Sequence, residues 1–303
     1  MSAPDRLYIL AFDHRGSFQK KMFGIDGEPS PEERETISSA KSLIYEGLEK
    51  ALELGCDPRS TGALVDEEFG ADVARKARAR GLTLAMPMER SGQKVFDFEF
   101  GDDFPAHIEE FDLDYAKVLV RYNPEGDEES NAAQRDRLRR LSDHLAGRGD
   151  RGFLFELLVP AEDHQLARVD GDAGRYDREV RPGLMVTAIE QLREAGIEPD
   201  VWKIEGLDDR ADCERIAALT RDGGRDHVTC VVLGRGADDE QVADWLRAAA
   251  PVEGYRGFAI GRSIWWGSVA GWLEGSLSRE QAAERIASSY RGFIDVYQQA
   301  AAT

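Results

Sequence analysis

The residue of this 303-residue chain that most clearly indicates a chemical function is a lysine within an apolar, strand-like run. Lys203 lies in the run Val201 to Glu205, which is typical of a buried strand. Because strand side chains alternate between two faces, Lys203 and Glu205 share the face of Val201, and Trp202 takes the other. Burial disfavours an ammonium ion, so we expect the amine to act as a nucleophile towards a ketone or aldehyde. The alternative is a lysine that extends from the strand end into solvent.

Lysine is scarce in this chain, which narrows the choice of a covalent catalyst. The sequence holds eight lysines, and only Lys117 and Lys203 fall inside apolar, strand-like runs. The other six lie in polar segments of the sequence that are typical of helix surfaces or loops: Lys20, Lys21, Lys41, Lys50, Lys76 and Lys94.

A single carboxylate interrupts another apolar run. Glu156 stands between Phe-Leu-Phe and Leu-Leu-Val, and a buried carboxylate without a partner is strongly unfavourable. We therefore expect it to pair with Lys117 or Lys203. Such a pair can be purely structural, but it also places a carboxylate beside an amine, and we favour the functional interpretation.

Strand and helix patterns alternate regularly along the chain. Strands are predicted at 7–13, 62–66, 82–86, 116–120, 152–159, 201–205, 228–233 and 257–260, and helices at about 31–54, 71–80, 129–146, 178–195, 209–220, 238–249 and 278–301. Eight such units predict an α/β fold, a single-domain (β/α)8 barrel over residues 1–303 with a long loop at about 89–114 after strand three. A doubly wound open sheet is the alternative, but no glycine-rich fingerprint follows the first strand.

Polar residues follow most of the predicted strands, at the end where barrels carry their active sites. Asp13, His14 and Arg15 follow the first strand, although such a triplet can also be a helix-capping loop. Further polar residues at strand ends are Asp66, Glu67, Glu89, Arg90, Arg121 and Glu205.

The last two strands end in a repeated apolar-Gly-Arg pattern. Gly234, Arg235 and Gly236 follow strand seven, and Gly261 and Arg262 follow strand eight. Glycine lets an anion approach the backbone and arginine adds positive charge. The pattern predicts a phosphate site here, where barrels commonly bind phosphate. Two ordinary turns with solvent-exposed arginines are the alternative.

No spacing in the sequence predicts a metal centre or a cofactor site. Cys56, Cys213 and Cys230 share no metal spacing, and the five histidines are scattered. The acidic run at Asp66 and Glu67 can hold a divalent ion, but acidic strand ends are commonplace. We expect activity without a metal or a cofactor.

Charge and hydropathy limit the partners. The net charge of -19 argues against nucleic acid as a partner. No apolar run is long enough to cross a bilayer, and the N-terminal residues lack a signal-peptide pattern, so we expect a cytoplasmic protein that does not act at a membrane.

Five motifs together resemble a known enzyme family. They are Leu10 to Phe18, Ala116 to Pro124, Phe155 to Leu158, Val201 to Glu205 and Gly261 to Trp265. In order and spacing they are similar to the class I aldolases of the tagatose-1,6-bisphosphate aldolase type. Within that type they most resemble the aldolase-like domain fused to the sugar kinase of bacterial myo-inositol catabolism. The resemblance runs from strand one to strand eight.

The resemblance implies roles for individual residues. Lys203 is the expected Schiff-base lysine, Glu156 the acid–base carboxylate and Lys117 a second active-site lysine. Asp13 is expected to orient substrate hydroxyls. Glu89 lies where this family carries a carboxylate after strand three. The chain departs from the family pattern at Asn123 and His14, where an acidic residue and a glutamine are expected.

The resemblance also implies a substrate. It points to 2-deoxy-5-keto-D-gluconate 6-phosphate, cleaved to dihydroxyacetone phosphate and malonate semialdehyde. The substrate carboxylate needs an arginine, and Arg15, Arg90 and Arg121 are the candidates. A tagatose-1,6-bisphosphate or sulfofructose-phosphate aldolase and a non-catalytic sugar-phosphate-binding barrel remain alternatives. We expect the chain to form a homo-oligomer.

Overall fold

Eight parallel strands close into a barrel in chain order in the computed structural model, which describes residues 5–303. Each strand pairs with the next one and the last pairs with the first, so the sheet has no free edge. The prediction of a single-domain (β/α)8 barrel is confirmed, and the open-sheet alternative is wrong. The strands are β1 (Leu7–Ala11), β2 (Thr61–Leu64), β3 (Thr83–Pro87), β4 (Tyr115–Arg121), β5 (Gly152–Leu158), β6 (Val201–Glu205), β7 (Thr229–Leu233) and β8 (Tyr255–Ile260).

Helices surround this barrel, and their ends follow local capping chemistry. Ser30 and Ser278 begin the two longest helices with capping boxes, in which the serine side chain accepts a hydrogen bond from a first-turn backbone N–H. The helices are α1 (Gly16–Phe23), α2 (Pro31–Glu53), α3 (Glu67–Ala79), α4 (Phe104–Phe111), α5 (Glu128–Ala146), α6 (Asp163–Ala167), α7 (Ala173–Arg175), α8 (Arg181–Glu194), α9 (Arg210–Arg221), α10 (Asp239–Ala249), α11 (Arg262–Leu273) and α12 (Arg279–Ala301). A π-helical turn at Tyr176–Val180 joins α7 to α8.

The segment 89–114 is not a plain loop, because it contains α4 and a short 3-10 turn at Gly101–Asp103. Phe104, Ile108 and Phe111 are buried at helical spacing and hold α4 against the core. Four further helices, α1, α6, α7 and α11, were also not predicted from the sequence. Their positions shape the mouth of the barrel.

Two apolar layers make up the core. A small cluster fills the barrel interior and includes Ile9, Tyr115, Leu154 and Val201. A much larger cluster lies between the outer face of the strands and the helices. None of the helices within residues 5–303 is long and apolar enough to cross a membrane.

Candidate active site

Strand alternation places the predicted catalytic residues inside the barrel. Ala11, Tyr115, Leu154 and Val201 belong to the apolar cluster that fills the interior. The inward position two residues further along each strand carries, in the same order, Asp13, Lys117, Glu156 and Lys203. These polar side chains therefore form a layer directly above the apolar floor, towards the C-terminal ends of the strands.

The two lysines meet at one carboxylate oxygen of Glu156. Glu156 Oε2 lies 3.0 Å from the Nζ atom of Lys117 and 3.0 Å from that of Lys203. Glu156 and Lys203 face each other in the β5–β6 register. The exposed fractions are 5% for Glu156, 1% for Lys117 and 2% for Lys203, so the contacts are shielded from bulk water. The alternative of a solvent-exposed Lys203 is wrong.

The two lysines differ in the number of carboxylates that they contact. Lys117 Nζ also lies 2.7 Å from Asp13 Oδ2 and 2.7 Å from Glu89 Oε1. Lys203 Nζ has Glu156 as its single carboxylate partner among residues 5–303. Lys117 is therefore held as the centre of an ion cluster, and Lys203 stands at its edge.

Electrostatics fix the charge state of this cluster. Burial lowers the pKa of Lys117, but Asp13, Glu156 and Glu89 outweigh burial and hold that pKa well above its usual range. Burial likewise raises the pKa of Asp13 and of Glu156, but the lysine charges dominate and leave both below their usual values. At neutral pH Lys117 is a cation between carboxylates, so its nitrogen has no free lone pair.

Glu89 differs from the other two carboxylates. Burial raises its pKa, and Lys117 and Arg15 only partly offset that effect. Its Oε2 atom is buried and has no hydrogen-bond partner within the described chain. The bridge between Glu89 and Phe98 holds this residue at the cavity wall.

His14 is held neutral beside the cluster. Burial lowers its pKa to about 3, and the nearby Asp13 only partly opposes that shift. Its ring packs edge-on against Trp265, with the ring centroids 5.5 Å apart. His14 therefore adds a polar but uncharged wall to the cavity at neutral pH.

The two glycine-arginine turns meet at the mouth beside β7 and β8. Arg262 Nη2 donates a hydrogen bond to the backbone oxygen of Arg235 at 2.8 Å. Gly261 precedes α11 and approaches the backbone of β1 closely, because a Cβ there would lie 2.3 Å from the oxygen of Ala11. No side chain in the described structure caps the N-terminus of α11. Gly234 lines the same corner.

Two of the predicted anion-binding arginines already have protein carboxylate partners. Arg235 contacts Asp177 Oδ2 at 2.7 Å and Glu205 Oε1 at 3.1 Å. Arg15 contacts Glu99 Oε2 at 2.9 Å and also donates to the backbone oxygen of Glu89. Both line the cavity, but neither offers an unneutralised charge.

The structure adds Arg181 to the residues around the site. It is buried, its Nε atom lies 3.1 Å from Asp177, and its Nη1 atom lies 3.5 Å from Glu205. Burial raises the pKa of Glu205, although Arg181 and Arg235 partly offset it. The inward position of Glu205 was the available sequence signal that a buried cationic partner existed.

Asp66 has a structural role. Its Oδ1 atom accepts a hydrogen bond from the backbone N–H of Phe69 and caps α3, and its Oδ2 atom lies 2.7 Å from Lys41 Nζ. Lys41 also donates to the backbone oxygen of His14 at 2.7 Å. The assignment of Lys41 to a polar surface is wrong, because it is 1% exposed. With both oxygens occupied, Asp66 is a poor metal ligand.

A group with metal-ligand chemistry does occur outside the barrel mouth. Glu67, His107 and Glu110 place one ligand atom each within 4.8 Å of one another. They come from α3 and α4, so sequence spacing could not reveal them. Glu110 is paired with Arg75 at 3.0 Å, and His107 Nδ1 lies 2.7 Å from Glu67.

One cavity of about 640 Å³ joins these features at the C-terminal ends of the strands. The side chains of Lys117, Glu156 and Lys203 lie at its base, and Arg121 and Arg262 line its walls. It has the size of a small-molecule site.

The fold and the site define the molecule as a (β/α)8 barrel with a buried lysine–carboxylate cluster at the usual active-site end. The chain belongs to the family DUF2090, described as uncharacterized protein conserved in bacteria, whose model matches residues 1–301. No curated protein matches the chain in sequence.

Solved structures with the same fold include several aldolases. A fructose-bisphosphate aldolase from Plasmodium falciparum has 14% identity and a TM-score of 0.65, covering 98% of this chain and 93% of its own. An archaeal fructose-1,6-bisphosphate aldolase, with its catalytic Lys covalently bound to the carbinolamine intermediate, has 13% identity and a TM-score of 0.59, covering 97% and 94%. A protein from Corynebacterium glutamicum has 16% identity and a TM-score of 0.59, covering 95% and 86%. At these identities the similarity establishes the shared fold.

Proposed function

We propose that this protein is a class I aldolase that forms a Schiff base between Lys203 and the ketone of a phosphorylated substrate. The observation that carries the proposal is the asymmetry of the two buried lysines. Both lysines line the cavity, but Lys117 contacts three carboxylates, whereas Lys203 contacts one. The fold similarity to Schiff-base-forming aldolases supports the same chemistry.

Glu156 is positioned to move the protons of this reaction. Its Oε2 atom lies 3.0 Å from Lys203 Nζ, within direct transfer distance. Glu156 accepts a proton from the Lys203 ammonium, and the freed amine attacks the carbonyl carbon. That proton passes to the carbonyl oxygen. Glu156 then carries a second proton from the carbinolamine nitrogen to the resulting hydroxyl, which leaves as water as the iminium ion forms. The iminium accepts the electron pair of the carbon–carbon bond that breaks.

Lys117 and Asp13 complete the proposed machinery. Because Lys117 stays protonated, it supplies a fixed positive charge where the carbonyl oxygen becomes negative. Asp13 accepts a hydrogen bond from Lys117 and, facing the cavity, can accept a second one from a substrate hydroxyl. These roles require the side chains to hold this arrangement before the substrate binds. The contacts of 2.7–3.0 Å among them support that requirement.

The phosphate end of the substrate is placed at the corner between β7 and β8. Arg262 lines this corner and has no carboxylate partner within residues 5–303. Gly234 and Gly261 line the cavity at this corner, and α11 begins there. Arg235 is neutralised by Asp177 and Glu205, so we assign it a supporting role.

For the substrate itself we propose 2-deoxy-5-keto-D-gluconate 6-phosphate, which gives dihydroxyacetone phosphate and malonate semialdehyde. The motif resemblance to the domain from myo-inositol catabolism supports this choice. The departures at Asn123 and His14 keep tagatose-1,6-bisphosphate and sulfofructose-phosphate as alternative substrates. A non-catalytic barrel that binds a sugar phosphate is the alternative of another class.

Borohydride trapping tests the proposal. The protein is incubated with dihydroxyacetone phosphate, reduced with sodium borohydride, digested and analysed by mass spectrometry. We expect the reduced adduct on the peptide that contains Lys203, and we expect Lys203→Met to abolish it. Lys94→Met, at an exposed loop position, is the matched control and should trap normally. An adduct on Lys117 would overturn the assignment, and no adduct at all would favour the binding barrel.

A further inference from the structure

The cations that line the cavity fall into two groups. Most have a carboxylate partner, namely Arg15, Arg90, Lys117, Lys203 and Arg235. Three have none within the described part of the chain: Lys21, Arg121 and Arg262. In a chain with a net charge of -19, where acidic side chains are abundant, cations that lack such a partner and face a cavity are free to bind an anionic ligand.

The three unpaired cations stand on opposite sides of the mouth. Arg262 follows β8, and Lys21 lies on α1, which follows the neighbouring strand β1. Arg121 is the last residue of β4. In a closed barrel of eight strands in chain order, β4 lies opposite β8, and β6 with Lys203 lies midway between them. A substrate bound at both sides therefore spans the cavity that Lys203 lines.

The guanidinium of Arg121 is oriented by the protein but not neutralised. Its Nη1 atom donates a hydrogen bond to the backbone oxygen of Gln93 at 3.0 Å. Arg121 occupies the same inward register as Tyr115, Lys117 and Leu119, so its side chain starts from the face of the strand that lines the cavity. Its remaining N–H groups are available to a ligand.

We propose that Arg121 binds a carboxylate of the substrate, at the end opposite to the phosphate. This inference rests on the proposed aldolase function and deepens it. The charges match such a substrate, because Arg262 and Lys21 offer two positive charges to a phosphate dianion and Arg121 offers one to a monoanion. A single planar guanidinium also fits the two oxygens of a carboxylate.

The proposed orientation predicts which product each arginine holds. Cleavage leaves the ketone fragment attached to Lys203, with its phosphate near Arg262. The aldehyde fragment carries the carboxylate and leaves from the side of Arg121. Dihydroxyacetone phosphate alone therefore does not reach Arg121, whereas malonate semialdehyde does.

The test measures two reactions on the same variants, Arg121→Gln and the matched control Arg247→Gln, an exposed arginine of α10 outside the cavity. The first is borohydride trapping of dihydroxyacetone phosphate, and the second is aldol addition of dihydroxyacetone phosphate to malonate semialdehyde or to propanal. For Arg121→Gln we expect unchanged trapping and an unchanged rate with propanal. We expect kcat/KM for malonate semialdehyde to fall by roughly 10- to 100-fold, as for a lost charge-assisted hydrogen bond. Arg247 is paired with Asp244, so its variant should stay within about twofold of the parent on all substrates.

The outcomes separate this inference from the aldolase proposal. Normal trapping together with an unchanged kcat/KM for malonate semialdehyde in Arg121→Gln would overturn the carboxylate site alone. An equal loss with malonate semialdehyde and propanal would also overturn it, because the effect would not depend on the carboxylate. If the parent enzyme prefers glyceraldehyde 3-phosphate and Arg121→Gln loses that preference, the group that Arg121 binds is a phosphate and the carboxylate proposal is overturned. Failure of the parent to trap dihydroxyacetone phosphate would overturn the aldolase proposal and this inference with it.

Discussion

Lys117 and Lys203 share one oxygen atom of Glu156, each with a nitrogen–oxygen distance of 3.0 Å. The carboxylate separates two positive charges that would otherwise repel each other in a site shielded from water. If Glu156 takes up a proton, this compensation is lost and the Lys203 amine is released at the same time. In the proposed mechanism, proton transfer and activation of the Lys203 amine would thus be coupled by a single atom.

The two lysines should differ in their contribution to stability. Lys117→Met leaves the carboxylates of Asp13, Glu89 and Glu156 buried without their shared cation, so we expect a loss of about 3–5 kcal/mol in the free energy of unfolding. Lys203→Met leaves Glu156 paired with Lys117, so its loss should be clearly smaller. Urea denaturation of both variants at pH 7 measures the difference. Equal losses would show that the ion cluster is not centred on Lys117.

Glu156→Gln keeps the shape of the side chain but removes its charge and its ability to accept a proton. Since general acid–base groups contribute on the order of 10²–10⁴ in rate, we expect kcat to fall by about that factor. Circular dichroism should show an intact fold. A folded variant with nearly normal kcat would mean that Glu156 is a counter-ion only and that another group, such as Glu89, carries the proton.

Strand alternation made the centre of the site predictable from the sequence. A period of two fixes which side chains face the barrel interior, so Lys117, Glu156 and Lys203 could be placed on one face before any contact was known. The long helices were predictable for a related reason, since their periodic apolar positions and capping residues are local. The strand bounds agree with the structure to within about two residues.

Partners contributed by distant segments could not be predicted. Lys41 lies on the buried face of α2 beside Ala40 and Ile44, and the sequence does not identify its partner Asp66, which lies in a distant segment. The sequence likewise does not reveal that Glu99 pairs with Arg15 or that Asp177 pairs with Arg235. Pairing of this kind depends on how loops cross the mouth, and no local pattern encodes it.

The neutral state of His14 predicts a pH dependence of stability. Burial lowers the pKa of His14 to about 3, whereas an unfolded histidine titrates near its ordinary value of about 6.5. Between these values the unfolded chain binds a proton that the folded chain does not, so stability should fall as the pH falls from about 6.5 towards 3. Asp13 and Glu156, with lowered pKa values, add to this loss only below about pH 4, where their unfolded forms take up protons.

Thermal unfolding between pH 6.5 and 4.5 isolates the contribution of His14. We expect His14→Gln to lose part of the pH dependence of Tm in this window. His144→Gln is the matched control, and its effect should be smaller. Burial lowers the pKa of His144 too, but that ring is less enclosed. Identical slopes for the parent and His14→Gln would contradict a neutral, half-buried His14.

The corner at β7 and β8 should be an anion site even without substrate. Arg262 has no carboxylate partner within residues 5–303, and its Nη2 atom is held by the backbone oxygen of Arg235. Inorganic sulfate should therefore compete with the phosphorylated substrate in the parent enzyme. In Arg262→Ala we expect binding of the phosphorylated substrate to weaken by roughly 2–5 kcal/mol, the usual cost of removing one partner of a buried charge pair. Sulfate should inhibit this variant far less.

Arg247→Ala, which removes an exposed arginine of α10 that pairs with Asp244, is the control and should leave substrate affinity and sulfate inhibition unchanged. Equal sulfate inhibition of the parent and Arg262→Ala would place the phosphate elsewhere in the cavity, and a substrate affinity unaffected by Arg262→Ala would argue against a phosphorylated substrate at this corner.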